Sequence, residues 1–240
     1  MRYLSWIFAP LFLLQVYTAN AQNVYNFNFN HSLWDSSTHQ KMTAVCTPSY
    51  SEHTFIFGKI KITRPVCHFD KQCGFIFNDT ANFIQSGSYT IELYAELDSI
   101  SGYRKLIDYK NLSVDMGLYD NDDACTFRGP GTVSGDLFTR GAYAFVVITR
   151  DGATKTVKLF VNGSYVDGFS DADFDYAVYD ASKTLRFLQD DNYSTGMECS
   201  SGNIAMLTIY NAAIADATVK SHFAALPDRL KIKPAEPIKK

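Results

Sequence analysis

LRFLQDDNYSTGMECSSGNIAMLTIY, residues 185–210, is the stretch that decides the fold of this chain. Its apolar residues alternate at both ends, at Leu185 and Phe187 and again from Ile204 to Tyr210. A period of two is typical of strands that bury one face, so the stretch predicts a strand, a loop and a second strand. The loop carries three carboxylates, and we expect it to lie at the rim of a β-sandwich.

Other segments repeat the strand pattern at short intervals along the chain. Residues 88–97 place Tyr89, Ile91 and Leu93 on one face, and we expect residues 103–109 to form the neighbouring strand. The remaining single strands are predicted at residues 25–29, 54–57, 74–77 and 142–149, the last of them buried on both faces.

A hairpin and a short helical segment complete the pattern. Asn162-Gly163 separates residues 155–161 from a strand that starts at Tyr165, and this dipeptide is a strong signal for a two-residue hairpin. Residues 211–226 predict a short helical segment with apolar Val219 and Phe223. Short strands separated by turn residues predict an all-β sandwich, followed by a short C-terminal helical segment.

The chain divides into three parts. Residues 1–21 have an early Arg2, an apolar run and an Ala19-Asn20-Ala21 cleavage site, which together predict a signal peptide. We expect one domain over residues 22–226 and a basic, flexible tail over residues 227–240. No later run approaches the roughly 18 apolar residues of a transmembrane helix. The mature protein is therefore expected to be secreted, or periplasmic if the source is bacterial.

The charge distribution argues against a nucleic-acid partner. The formal net charge is −3, and the basic tail conceals a more acidic body. Nucleic-acid affinity comes mainly from neutralising phosphates, which an acidic body cannot do. The acids are 20 Asp and only 5 Glu, and Asp favours turns and is a common calcium ligand.

The acidic loop has two interpretations. Calcium binds six to eight oxygen atoms, and several carboxylates in one place could supply part of that set. In the alternative, the aspartates cap turns and either Arg104 or Arg186 balances their charge. The candidate calcium ligands are Asp190, Asp191 and Glu198, with Asp108 and Asp115 as neighbours.

Five cysteines leave at least one without an intramolecular partner. Cys67 and Cys73 are close enough in sequence to close one loop by a disulfide. Cys125 and Cys199 are further disulfide candidates, which we expect in loops that flank the acidic rim. Their spacing does not match that of a zinc site.

Three segments in order make the chain similar to a known family. These are YRKLIDYKNLSVDMGLYD, AFVVITRDGATKTVKLFVNGSYV and LRFLQDDNYSTGMECSSGNIAMLTIYNAAI. Together they resemble the laminin-G-like jelly-roll domains of the concanavalin A-like lectin/glucanase superfamily, over residues 23–226. The resemblance implies two antiparallel sheets packed face to face with a curved concave surface. It also implies a mostly non-catalytic family whose members bind glycans, proteins or calcium.

The superfamily also contains glycosidases, and one of their patterns is half present here. Family 16 enzymes carry E-x-D-x-x-E or E-x-D-x-E, whereas Glu96-Leu97-Asp98 is followed by Ser99, Ile100 and Ser101. The third carboxylate is missing, so we expect no enzyme. Hydrolysis through Glu96 and Asp98 remains the least favoured alternative.

A glycan site needs exposed aromatic side chains beside hydrogen-bonding groups. We expect Tyr119, Tyr176, Tyr179 and Tyr193 in loops, and we select Tyr119, Tyr193 and Asn192 as ligand-binding candidates. The resulting hypothesis is a secreted, non-catalytic carbohydrate-binding module with calcium at the acidic rim. The alternative is a protein-adhesion or cell-envelope scaffold domain without a sugar site.

Overall fold

A computed structural model describes residues 23–38, 40–84, 87–129, 132–134, 138–191, 193 and 197–231. The predicted signal peptide, Asn192 and residues 232–240 lie outside this part of the chain. Within it the chain forms fifteen strands and two short helices.

The strands are given in chain order. They are β1 (Val24–Phe27), β2 (Thr43–Ala44), β3 (Ser49–Phe57), β4 (Ile60–Phe69), β5 (Phe75–Asn78), β6 (Tyr89–Leu97), β7 (Tyr103–Asp108), β8 (Gly117–Asn121), β9 (Ala124–Arg128), β10 (Thr132–Ser134), β11 (Ala144–Asp151), β12 (Thr156–Val161), β13 (Ser164–Ser170), β14 (Thr184–Phe187) and β15 (Gly202–Tyr210). The helices are α1 (Asp216–Ala224) and α2 (Leu226–Arg229).

The strands form two antiparallel sheets. The larger sheet has the order β13-β12-β11-β6-β15-β4-β3, and β1 also pairs with β15. The smaller sheet has the order β10-β9-β8-β7-β14-β5-β2. The fold class predicted from the sequence, a two-sheet antiparallel sandwich with a short C-terminal helical segment, is confirmed.

The core lies between the two sheets and is rich in aromatic residues. Phe27 and Leu93 from the larger sheet and Phe77 and Phe187 from the smaller sheet are almost completely buried in it. Every second residue of these strands points inward, so the period-two pattern of the sequence becomes the apolar layer. Burial of such large side chains is the main favourable term in folding.

Several predicted strands are confirmed with small shifts of their ends. Residues 88–97 correspond to β6, and residues 142–149 correspond to β11, which is buried on both faces. Asn162 and Gly163 join β12 to β13 with φ of 50° and 77°. Positive φ at both positions is what a two-residue hairpin turn requires, and Asn and Gly accept it at low cost.

The predicted pairing of residues 103–109 with residues 88–97 is wrong. β7 belongs to the smaller sheet, between β8 and β14, whereas β6 pairs with β11 and β15. The segment after β6 therefore crosses between sheets instead of turning back along the same sheet. β15, from the other end of the chain, occupies the neighbouring position.

The outer face of the larger sheet is covered. β4 pairs with β15 only over residues 67–69, so the rest of the β3–β4 hairpin extends beyond that pairing and packs against the outer face. Phe55 of this hairpin lies with its ring centroid 4.8 Å from that of Tyr143 and 5.7 Å from that of Tyr94. The two helices add buried Val219 and Leu226 to the same apolar cluster.

The helices are also fixed to the sheet by charge. Glu92, which is fully buried in β6, accepts from His222 Nδ1 at 2.6 Å and from Arg229 Nη2 at 2.5 Å. Leu226 and Leu230 are buried on either side of Arg229. The predicted domain end at residue 226 is therefore too early, because packed structure continues through α2.

The disulfide predictions are wrong in their pairing. The structure joins Cys46 to Cys73, and the other three cysteines are free and buried. Cys67 lies in β4 and Cys125 lies in β9, and both side chains belong to the core between the sheets. Cys46 and Cys73 instead lie in adjacent loops, where Val45 N donates to Gly74 O at 2.9 Å.

Candidate functional site

The predicted calcium ligands do lie near one another, around a buried lysine. Lys105 of β7 is fully buried, and its Nζ contacts Asp191 Oδ2 and lies 3.4 Å from Asp108 Oδ2. The same Nζ lies 5.0 Å from the ring centroid of Tyr119 on the neighbouring strand β8. An ammonium group is tolerated at zero exposure only when paired charges and hydrogen bonds replace its water.

A second cation pairs with two of the three remaining carboxylates of the rim. Arg128 at the end of β9 lies 2.7 Å from Asp115 and 3.3 Å from Glu198. Its guanidinium lies 5.1 Å from the ring centroid of Tyr103. The Tyr119 hydroxyl donates to Asp115 at 2.8 Å, so this aspartate is held from two sides.

The side chain of Asp190 binds backbone groups of its own loop. Its two carboxylate oxygens accept from the backbone N–H groups of Asp191 at 2.9 Å and Glu198 at 2.7 Å. Burial raises the pKa of Asp190, Glu198 and Asp108 above their usual values, and these hydrogen bonds and cations offset only part of the effect.

This arrangement does not fit the predicted calcium site. Lys105 pairs with Asp108 and Asp191, and Arg128 pairs with Asp115 and Glu198. Backbone N–H groups bind the fifth carboxylate, Asp190. Within the described part of the chain, no group of three or more His, Cys, Asp or Glu side chains is placed to hold a metal ion. The alternative of a structural network is supported, but its predicted cations are wrong, since Arg104 and Arg186 donate to other groups.

Of the three predicted ligand residues, one is buried, one is exposed and one lies outside the described part of the chain. Tyr119 lies in β8 rather than in a loop and has no exposed surface, so it cannot be an open stacking platform. Tyr193 is 74% exposed beside the acidic loop. Asn192 lies outside the described residues.

A cavity of about 430 Å³ opens at one end of the sandwich, between the two sheets. Its buried members are Ile84, Tyr89 at the start of β6, Tyr109 just after β7 and Leu185 of β14. Gly87, Val178 and Tyr179 are half-buried, and Asn82 and Lys183 are exposed at its mouth. Cavities of this size and mixed character are typical of small-ligand sites.

Hydrogen bonds hold the mouth of the cavity in place. Tyr179 donates its hydroxyl to Asp79 at 2.9 Å, and Asp79 also accepts from the backbone N–H of Ile84 at 2.9 Å. Lys183 Nζ donates to Asn82 Oδ1. Three groups that can bond to a ligand, an amide, an ammonium and a phenol, therefore converge around a mainly apolar pocket.

One buried hydroxyl beneath the cavity has no well-aligned hydrogen-bond partner among the described residues. Within the described residues, Tyr109 Oη makes no hydrogen bond of ordinary geometry, although the Tyr89 hydroxyl lies nearby and donates to Ala177 O at 2.7 Å. Burial raises the pKa of Tyr109, so its hydroxyl stays protonated and can donate. Unpaired buried hydroxyls are uncommon, and an acceptor that reached this floor would satisfy it.

Sequence reasoning found only one member of this cavity among its loop tyrosines, Tyr179. Asn82 and Lys183 stand next to each other although they are 101 residues apart in the chain. Both have positive φ, of 53° and 52°. Asn is often found in that conformation, so Asn82 carried a weak signal of an unusual turn, whereas Lys183 carried none.

The two carboxylates of the incomplete glycosidase pattern have other partners. Glu96 Oε1 accepts from Asn203 Nδ2, and Asp98 Oδ2 accepts from Ser201 Oγ at 2.6 Å. Both bonds tie the end of β6 to the start of β15.

Comparison with known families assigns the chain. A family profile, Laminin_G_3 of the concanavalin A-like lectin/glucanases superfamily, matches residues 71–220. The match spans more than half of the chain, and the protein therefore belongs to this family. The resemblance found in the sequence is confirmed. A comparison with curated protein sequences gave no match.

Solved structures of binding domains share the fold at low sequence identity. Domain 4 of the extracellular arabinanase AbnA from Geobacillus stearothermophilus, in complex with arabinotriose, superposes with a TM-score of 0.58 and 14% identity over 82% of this chain and 96% of that one. The CBM40 domain of the Ruminococcus gnavus sialidase gives 0.53 and 14% over 66% and 96%. The binding domain of botulinum neurotoxin DC, in complex with rat synaptotagmin II, gives 0.55 and 12% over 84% and 51%.

Among the residues that the structure describes, neither helix has the length and apolar character to cross a bilayer.

Proposed function

We propose that the protein is a secreted, non-catalytic module that binds glycans, and that the cavity between the sheets is its binding site. The observation that carries the proposal is the cavity itself, about 430 Å³ with an apolar floor and with Asn82, Tyr179 and Lys183 at its mouth. The signal-peptide pattern and the Cys46–Cys73 disulfide support an oxidising, extracellular location.

The chemistry of the cavity suits a sugar ring. The C–H face of a sugar can pack on Ile84, Val178 and Leu185, while its hydroxyls meet the amide of Asn82 and the ammonium of Lys183. Such sites combine apolar walls with a few polar groups that fix orientation. A hydroxyl that hydrogen-bonds a charged group contributes more than one bonded to a neutral group.

Retention on immobilised polysaccharides, followed by calorimetry with the best oligosaccharide, tests the function. Val178→Trp fills the cavity without removing a polar group, and we expect it to weaken binding at least tenfold. Lys183→Gln removes only the ammonium, and we expect a loss of roughly fivefold, the worth of about one hydrogen bond. Lys61→Gln, an exposed lysine on β4, is the matched control and should bind as the parent does.

The same experiment separates the cavity from the acidic rim. Tyr193→Ala removes the exposed aromatic side chain of the rim and should leave affinity unchanged. Binding that is lost with Tyr193→Ala but retained by Val178→Trp would place the site at the rim. No retention on any glycan would overturn the proposed function.

Protein adhesion is the second candidate, favoured by two exposed aromatic side chains. Tyr165 on the edge strand β13 is 55% exposed, and Phe223 of α1, which packs over the Asn162-Gly163 turn, is 36% exposed. Edge strands and exposed aromatic side chains are frequent in protein interfaces. If adhesion is the function, Tyr165→Ser should reduce attachment to a protein-coated surface, and free sugars should not compete.

A further inference from the structure

The polar side chains of the cavity between the sheets offer mainly hydrogen-bond donors. Lys183 Nζ can only donate, and its bond to Asn82 Oδ1 uses the one acceptor atom of that amide. What these two side chains still offer to a ligand is N–H groups. Tyr109 Oη, beneath the floor, is a protonated hydroxyl without a well-aligned acceptor among the described residues.

The backbone acceptors around the cavity are already engaged. Arg150 Nη1 donates to Gly87 O at 2.7 Å, and Lys110 Nζ donates to Val178 O at 2.8 Å. Backbone N–H groups bind the carbonyl oxygens of three further lining residues, Ile84, Tyr109 and Lys183. Among the described residues that line the cavity none is an aspartate or a glutamate, so acceptor capacity is left mainly on phenol oxygens.

One carboxylate lies close to the cavity without lining it. Asp79 is buried, and it accepts from the backbone N–H groups of Phe83 at 2.5 Å and Ile84 at 2.9 Å and from the Tyr179 hydroxyl at 2.9 Å. Both of its oxygens are therefore bound, and these donors offset its charge. Of the described lining residues, Lys183 is the one with a charged side chain, and the charge is positive.

This excess of donors discriminates between sugars. A sugar hydroxyl brings an O–H of its own that needs an acceptor, and leaving it unpaired in a cavity costs binding energy. A carboxylate only accepts, and its bonds to an ammonium are charge-assisted. We propose that the cavity binds a hexuronic acid unit of an acidic glycan, with the sugar carboxylate held at the mouth by Lys183 and Asn82. This inference rests on the proposed function and narrows its ligand from glycans in general to acidic ones.

Calorimetry with matched pairs of oligosaccharides tests the inference. Each pair is an acid and its carboxyl-reduced form, in which a hydroxymethyl group replaces the carboxylate. The acids are the trimers of galacturonate, mannuronate and guluronate and a glucuronate-bearing xylotriose. Short ligands are used because the protein is acidic overall and would repel a long polyanion. For at least one pair the acid should bind about tenfold or more tightly than its reduced form, and added sodium chloride should diminish this preference.

Three variants locate the carboxylate. Lys183→Gln removes the ammonium, so the acid should bind about tenfold or more weakly than it does to the parent, and the preference over the reduced form should disappear. Asn82→Asp keeps the shape but places a carboxylate beside the ammonium, so it should abolish binding of the acid and retain binding of the reduced form. Lys61→Gln, the exposed lysine on β4, is the matched control and should keep the full preference.

The outcomes separate this inference from the proposed function. Equal affinity for the acid and the reduced form, or binding of neutral glycans only, would overturn the inference and leave the cavity as a site for neutral sugars. A preference that survives in Lys183→Gln would place the carboxylate elsewhere and would also overturn it. Binding of no glycan, acidic or neutral, would overturn the proposed function and the inference together.

Discussion

Asp120 is a buried carboxyl group in β8 that faces the core side of the sheet, opposite Cys125 of β9. Within the described residues neither of its oxygens makes a hydrogen bond of ordinary geometry. Its neighbour across the β7–β8 pair, Arg104, donates instead to the carbonyl of Tyr103 and to Ser99. Burial raises the pKa of Asp120 to about 7. The folded protein therefore holds a proton there that the unfolded chain releases near pH 4.

The pH dependence of stability follows from that difference. Between about pH 4 and pH 7 the folded state binds more protons at Asp120 than the unfolded state, so this group makes stability fall as pH rises. The slope is at most about 1.4 kcal/mol per pH unit, and it levels off above pH 7. We expect Asp120→Asn to lose this slope and to be more stable than the parent at pH 8. Urea unfolding at pH 5 and pH 8 measures the free energy of unfolding of both proteins. An equal change of that free energy with pH in the parent and in Asp120→Asn would contradict the prediction.

The C-terminal helices depend on one buried carboxylate of the larger sheet. Glu92 binds His222 of α1 and Arg229 of α2, so it is a carboxylate that contacts both helices. Further polar contacts are single ones, such as the Arg229 bond to Thr208 Oγ1 at 3.0 Å and the exposed pair of Lys158 with Asp216 at 2.8 Å. Glu92→Gln keeps the shape but removes the charge, so Arg229 is left mostly buried with a weaker partner. We expect a loss of roughly 3 kcal/mol in stability. Faster hydrogen exchange should be confined to α1 and α2.

Two comparisons check this prediction. Glu52→Gln replaces an exposed glutamate on β3 and should change neither stability nor exchange. If Glu92→Gln accelerated exchange across the whole sheet and not selectively in the helices, the carboxylate would be a general core contact and not their attachment.

The elements that the sequence predicted correctly are those with a strong local signal. β6 and β11 show clear apolar patterns, and the dipeptide Asn162-Gly163 is itself a strong signal for a two-residue hairpin turn. The β8–β9 hairpin was missed because its strands carry polar residues and its turn, Asp122-Asp123 with φ of 48° and 72°, contains no glycine. Sheet membership was also missed for β7, because its partner β14 is distant in the chain: Asp108 pairs with Arg186 and Ile107 pairs with Phe187.

At the scale of the whole molecule, the reactivity of the three free cysteines measures how well the folded sandwich excludes reagents from its interior. Cys67, Cys125 and Cys199 are free and buried, and burial raises the pKa of each thiol. Native protein should therefore react with no thiol reagent, and unfolded, unreduced protein should expose three thiols. One reactive thiol in the native state, or a single thiol after unfolding, would contradict the Cys46–Cys73 assignment or the burial of the others.

The same disulfide should contribute to stability. Cys46→Ser/Cys73→Ser opens a loop across 27 residues and should cost about 2–4 kcal/mol. Cys199→Ser leaves the disulfide in place and serves as the control, since any cost there reflects packing alone. Guanidinium unfolding of both variants measures the difference.

The candidate site shows why the sequence predicts the fold better than it predicts the function. The cavity is assembled from residues 82–84, Gly87 and residues 178–183, from Tyr109 and from strand ends of both sheets, so no contiguous motif describes it. The rim carboxylates were predicted to lie together and do so. Their counter-charge was not predicted, because Lys105 looks like an ordinary alternating strand residue until its neighbours are known.

The position of β15 sets a limit on when this protein can fold. β15 lies between β6 and the β1 and β4 strands, so the middle of the larger sheet is completed by residues 202–210. Its pairing with β1 joins residues 24–27 to residues 207–210, so more than half of the chain separates the two strands. Such long-range pairing is slow to form and cannot begin during most of synthesis. Until residues 202–210 have left the ribosome, β1, β4 and β6 lack the strand that joins them.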